Sequence, residues 1–230
     1  MLKFNFYLFI GIFGFNSGNM ATYESLIKIT GAVGDLVFYN LNGKNVVRKK
    51  SGFNKAAFKK SPTYEKVRQN SSEFGHCSRV GKTIRKCLTP YIQAAGDPLL
   101  YQKFAKLMTA IKNRDPLSER GKRTVENGLK TEEGKKLLQE FQFGTIENTK
   151  GGIVIDNHSL FAAKDFPAEY VVIVTISMDY ENYIAEYEEE VVSLKKKEVL
   201  LQKHFSGKEG LLYFAALKNN HDKITHMGFV

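Results

Sequence analysis

The sequence predicts an α+β protein: a small N-terminal β-hairpin region with a helical layer, followed by an antiparallel β-sandwich-like domain. Three observations carry this. Asn42-Gly43 stands between two short apolar runs, apolar residues recur at helical spacing between Ser72 and Phe141, and from Gly151 short apolar runs alternate with turn residues. A chain of 230 residues, 43% of them hydrophobic, can build one large domain or two small ones. The expected parts are a misassigned start or signal peptide over 1–19, a basic hairpin-plus-helices domain over 20–143 and a β-rich sandwich-like domain over 151–230, joined near Gly144, Gly151 and Gly152.

Residues 1–19 combine Lys3, an apolar run from Phe4 to Phe15 and small polar residues. That is the layout of a signal peptide, and twelve residues are too few to span a bilayer as a helix. Five phenylalanines among residues rich in AT-codon types, and asparagine at critical places of both candidate cleavage sites, favour a misassigned start with the true one at Met20. The expected location is cytoplasmic with that start and exported with a signal peptide. No integral membrane span is expected.

From Leu26 to Lys49, alternating apolar residues are punctuated by Gly31, Gly34 and Asn42-Gly43. Asn-Gly favours the positive φ angles of a two-residue hairpin turn, so two or three short strands are expected here. The stretch TGAVGD lacks the third glycine and following helix of a dinucleotide loop. Residues 49–70 mix basic residues with Phe53, Phe58 and Tyr64 and show little periodicity. Cations interleaved with aromatics suit a phosphate backbone and exposed bases; a basic loop pinned by a few aromatics has the same composition.

The stretch Ser72–Ala95 is the clearest helix. At about 100° per residue, Phe74, Cys77, Gly81, Ile84, Leu88, Tyr91 and Ala95 fall on one side and Arg79, Lys82 and Lys86 on the other. Gly75 and Gly81 predict a close neighbour, and Pro90 predicts a bend near residue 89, with Thr89 capping a restart. Cys77 and Cys87 stand about 15 Å apart along a straight helix, far beyond the ~7 Å of a disulfide, and read as small buried side chains. Nothing demands an oxidising compartment. The segment GHCSRVGKT imitates a phosphate-binding loop, but its glycines are separated by five residues where four are needed.

Asp97-Pro98 opens a second helix with Leu100, Phe104, Leu107, Met108 and Ile111 inward, ending before Asp115-Pro116. A polar connection to Gly128 and a short helix from Thr131 to Phe141 complete the helical layer.

Charge is distributed unevenly. The net charge is +10 overall, yet residues 41–90 hold thirteen Lys or Arg against two acids, while residues 151–230 hold eight against twelve. The basic side of the central helix is either a solvated surface or a contact for an anionic partner.

Gly31 and Gly34 before Phe38-Tyr39, Gly43, Val47-Arg48, Asn70 to Gly75 with Ser78, Gly81-Lys82, Arg85, Leu88 and Pro90, Arg120-Gly121, and Leu138 to Phe143 resemble uncharacterised proteins common in Bacteroidota genomes. The resemblance covers about residues 25–143. It implies an order of parts, a bacterial source and a start near Met20, and it carries no activity, cofactor or catalytic residue. The chain departs from it at Gly144, where asparagine is expected.

In the C-terminal half, YVVIVTISM, YIAEYEEEVVSL, EVLLQKHF, LLYFAAL and MGFV read as antiparallel strands of a sandwich. Glu186, Glu188, Glu189 and Glu190 with Tyr183 and Tyr187 make a negative surface, suited to the basic half of another copy or to keeping an edge strand soluble. His76, His158, His204, His221 and His226 sit in separate segments without metal-ligand spacing, and no G-x-S-x-G elbow occurs. No cofactor or metal is expected. These features point to a non-enzymatic binding or assembly protein that uses Arg48, Lys49, Lys50, Arg79, Lys82, Arg85 and Lys86 to engage an anionic macromolecule, either nucleic acid or an acidic protein surface. The alternatives are an exported cell-envelope β-sandwich protein, its basic face meeting acidic surface polymers, and a subunit of a phage-like repeating assembly whose copies associate through the opposite charges of the two halves.

Overall fold

A computed structural model describes residues 20–25, 29–50, 55–149, 151–156, 158–163, 170–195, 198–219 and 223–230. The expectations for residues 1–19, Leu26, Lys28, Phe53 and His221 lie outside these. The fold is α+β, and the chain divides into two compact units, Met1–Lys60 and Ser61–Val230.

The first unit holds a four-stranded antiparallel sheet of β1 (Met20–Thr22), β2 (Gly31–Val33), β3 (Leu36–Leu41) and β4 (Lys44–Lys49), in the order β1-β4-β3-β2. Asn42 and Gly43 both take positive φ, 50° and 81°, so the β3–β4 turn has the twist that matches its strands. The Gly43 amide donates to Asn40 Oδ1 at 3.0 Å. Only Val46 is fully buried among this unit's described residues, with Tyr23 packed edge-on to Phe38 at 5.7 Å between ring centroids. A short helix α1 (Lys55–Lys60) ends the unit, inside the basic segment that shows no helical period.

The second unit opens with a turn of 3₁₀ helix, Pro62–Tyr64, whose Thr63 amide is capped by Ser61 Oγ. It runs into α2 (Glu65–Cys87), two turns longer at its start than Ser72 suggests. Leu88 breaks the helix with φ −107° and ψ 18°, and α3 (Thr89–Ala95) follows. Pro90 is the cause: it has no N–H to give the Lys86 carbonyl four residues back. Thr89 does not cap α3; its hydroxyl donates to that carbonyl instead, at 2.8 Å.

The next helix, α4 (Leu100–Lys112), starts two residues after Pro98, with Asp97 Oδ1 accepting from the Leu99 amide at 2.9 Å. Its five predicted core residues are all buried. Two more helices follow, α5 (Val125–Leu129) and α6 (Glu132–Gln139), the second capped by Thr131. The polar connection thus contains a helix that its composition hides. Among the described residues no helix is long and apolar enough to cross a membrane.

Of the two glycines expected at a close approach, Gly81 is at one and Gly75 is not. A Cβ at Gly81 would sit 3.1 Å from Met108 Cγ and 3.4 Å from Phe104 Cδ1, whereas at Gly75 it would meet nothing within 4 Å. Gly144 takes φ 64°, a conformation glycine and asparagine both favour. Here a Cβ would also stand 2.7 Å from the Ala95 carbonyl oxygen, which leaves room for glycine alone.

The C-terminal strands form two antiparallel sheets. β7 (Tyr170–Asp179), β8 (Ile184–Ser193), β10 (Leu212–Lys218) and β11 (Ile224–Phe229) make one, in the order β11-β10-β7-β8. β5 (Ile153–Asp156), β6 (Ser159–Ala162) and β9 (Glu198–Leu200) make the other, in the order β5-β6-β9. The four-stranded sheet is the middle of three layers. One face, with Val172, Val174, Ile176, Phe214, Met227 and Phe229, packs on the helices. The other, with Val171, Ile173, Ala215 and Leu217, packs on Ile153, Leu160 and Leu201 of the smaller sheet and its flank.

The division expected between 143 and 151 is therefore not where the chain separates. Phe143 is fully buried among Phe104, Phe214 and Phe229, with centroids 5.3 to 6.4 Å away, so one core joins the helices to the sheet. The separation comes earlier, at Lys60.

Candidate functional site

The side of α2 that faces α4 carries Phe74, Ser78 and Arg85 at turn spacing, and α4 answers with Tyr101, Ala105 and Lys106; these line a hollow of about 520 Å³. A second hollow of about 400 Å³ shares Arg85 and Tyr101 and adds Lys82, Lys86 and Asp97. The two are parts of one open groove with Arg85 at their junction.

Arg85 is half-buried. Its guanidinium carbon lies 5.5 Å above the centre of the Phe104 ring, and burial lowers its pKa from the usual value, although an arginine stays charged at any physiological pH. Gly81 makes this position accessible, since a Cβ there would stand 3.2 Å from Arg85 Nη1. Among the described residues Arg85 has no hydrogen-bond acceptor and no carboxylate partner. A desolvated guanidinium is normally paired. The carboxylate lining the second hollow, Asp97, is already engaged by Lys103 Nζ at 2.6 Å and the Leu99 amide, which hold its pKa down. Lys82, Lys86 and Lys106 are exposed around the groove and also unpaired among the described residues.

The predicted basic residues divide between the two units. Lys82, Arg85 and Lys86 come together in the groove. Arg79 is occupied elsewhere, stacked 4.0 Å over the Tyr183 ring with its Nε donating to the Gly75 carbonyl. Arg48, Lys49 and Lys50 belong to the first unit, Arg48 half-buried on β4 and the two lysines exposed at its end. The GKT segment lies inside α2, where its amides are spent on the helix and cannot wrap a phosphate.

The groove is held in shape by a buried charge cluster that helix periodicity did not reveal. Glu73 is 3% exposed, whereas Phe74, its expected inward neighbour, is 60% exposed. The Glu73 carboxylate accepts from Lys112 Nζ at 2.5 Å, from Arg123 Nε and Nη2 at 2.9 Å each, and from the Gly121 amide at 2.7 Å. Burial raises its pKa, but the hydrogen bonds from Arg123, Lys112 and Gly121 and the charge of Lys112 outweigh this and bring it to about 2. It is ionised at neutral pH with its oxygens saturated. Asp115 is held at about 2 in the same way, burial being overcome by the amides of Thr124, Leu117 and Ser118 and the Ser118 hydroxyl.

His76 closes the far side of α2. Its Nε2 accepts from the Val125 amide at 3.0 Å, which places its proton on Nδ1, facing Tyr183 Oη at 3.1 Å. Burial, then the charge of Arg79, lower its pKa against a smaller opposing pull from Glu126. Cys77 and Cys87 are free and buried, and burial raises both thiols. Among the described residues no group of three or more His, Cys, Asp or Glu is placed to hold a metal ion.

Compared with known protein families, curated proteins and solved structures, the chain matches none.

Proposed function

We propose that this is a non-enzymatic, cytoplasmic binding protein that engages an anionic macromolecule along the α2–α4 groove. The observation that carries this reading is Arg85: a half-buried guanidinium without a counter-charge among the described residues, at the junction of two hollows. An anion bound there would supply the missing partner, and Lys82, Lys86 and Lys106 would extend the contact.

The test is a panel of anionic polymers, namely duplex DNA, single-stranded DNA, heparin and poly-glutamate, titrated into the full chain at 50 mM salt. If four cations neutralise phosphates of a single strand, affinity falls by about 50-fold between 50 and 200 mM salt. Joint reversal of Lys82 and Lys86 to Glu abolishes binding, and both are exposed, so the fold survives. Binding of no polymer at 50 mM, or binding indifferent to the reversal, sinks the reading.

A further inference from the structure

We infer that the occupant of the groove is single-stranded nucleic acid, with bases laid against Tyr101 and Phe74 and a phosphate at Arg85. This rests on the reading of the groove as an anion site, and names its class of partner.

The charges alone do not distinguish a nucleic acid from an acidic peptide; the rings beside them do. Phe74 is 60% and Tyr101 57% exposed, and both line the same hollow as Arg85 and Lys106. One arises from α2 and the other from α4, so two separate helices each present an aromatic face to the groove. Exposed large apolar groups are common singly on protein surfaces. Two rings in one concavity with a guanidinium unpaired among the described residues make a stacking platform beside a phosphate contact, the pairing that single-strand binders use.

The size of the groove then separates single strand from duplex. At about 520 Å³ the larger hollow is on the scale of small-ligand pockets, ~300–1,000 Å³, and admits one or two nucleotide units. In a duplex the base faces are stacked on each other, so a duplex can reach the lysines and leave the rings idle. The remaining lining fits a base as well. Ser78 and Thr109 bring hydroxyls, and Gln102 an amide whose Nε2 donates to Tyr101 Oη at 2.8 Å. A run of carboxylates such as poly-glutamate would use the cations and leave the rings idle.

The experiment is fluorescence anisotropy of the full chain with a labelled twelve-residue oligothymidylate and with a hairpin duplex of equal phosphate number, at 50 mM salt. The single strand binds more tightly than the duplex. Tyr101→Ala and Phe74→Ala each weaken single-strand binding about 5- to 150-fold, the range of one stacked base, and leave duplex binding unchanged. Tyr101→Phe, which keeps the ring, retains the affinity. Equal binding of both probes, or indifference of single-strand binding to both alanine variants, overturns this inference and leaves the anion-binding reading standing. Poly-glutamate binding that needs Lys82 and Lys86, without any single-strand binding, also overturns it in favour of an acidic protein partner. Loss of binding to every anion removes both.

Discussion

Glu73 shows how a single residue sets the geometry around the groove. Its carboxylate ties α2 to Lys112 at the end of α4 and to the loop carrying Gly121 and Arg123. Glu73→Gln leaves the buried Lys112 and the partly exposed Arg123 facing a neutral amide, and we expect it to destabilise the protein by about 3–5 kcal/mol in urea denaturation. The folded pKa near 2 lies below the ordinary 4.5, so the stabilisation is complete above pH 4.5 and is lost as pH falls toward 2; Asp115, lowered from 3.8, adds to the same acid limb. His76 acts at a higher pH. Its folded pKa is below 6.5, so the unfolded chain binds the proton first, and stability declines as pH drops below 6.5. A urea midpoint measured from pH 8 to pH 3 should show a shallow fall beginning near 6.5, absent in His76→Gln, and a steeper one below 4.5, reduced in Glu73→Gln. The pairing at Glu73 was not legible in the helical period. Glu73 and Phe74 both border the apolar stripe, and hydrophobicity favours placing the phenylalanine inside. What reverses the order is Lys112 and Arg123, 39 and 50 residues further on, which a helical wheel does not contain.

Individual elements follow local chemistry where local chemistry is strong. Asn42-Gly43 set the hairpin, Pro90 broke the long helix where expected, and the inward residues of α4 were all recoverable from their spacing. The misses are short or polar elements: α5 holds Asn127 and Gly128 in five residues, and the first turns of α2 are nearly all polar. The groove was only half legible. Lys82 and Lys86 lie on the predicted basic stripe and Lys106 does not, while the engagement of Arg79 outside the groove and the seat of Arg85 within it depend on Tyr183 from the turn after β7 and on Phe104 from α4. Gly81 is where the two helices and Arg85 meet, which allows a sharp test. Gly81→Val adds atoms against Met108, Phe104 and Arg85 Nη1. It should cost about 1–3 kcal/mol through overpacking and displace the guanidinium, weakening anion binding. Retention of full affinity by a folded Gly81→Val protein would show that Arg85 does not need its observed position.

For the whole molecule, the sandwich expectation captured two layers of three. The sign of the third was in β7 itself, a run from Val171 to Ser177 that is buried at every position. A strand with one wet face alternates; this one is covered on both. The acidic row Glu186, Glu188, Glu189 and Glu190 falls on β8, an outer strand of its sheet, where negative charge discourages pairing with another strand. These four glutamates equal the whole acidic excess of residues 151–230, twelve acids against eight Lys or Arg.

The segment that follows α6 joins the two sides of the core at several points. Phe143 fills the space between helices and sheet, and the Met227 amide on β11 donates to the Glu147 carbonyl at 2.8 Å. The chain then emerges at Gly151, which is exposed. Severing the backbone at Gly151 would therefore leave every helix of the second unit on one fragment and every strand on the other, each presenting the apolar face its counterpart needs. Co-expressed as 1–150 and 151–230, the two pieces should reassemble into a complementing pair that purifies as one species, while each alone should be insoluble. Independent solubility of both pieces would mean that the shared core is dispensable.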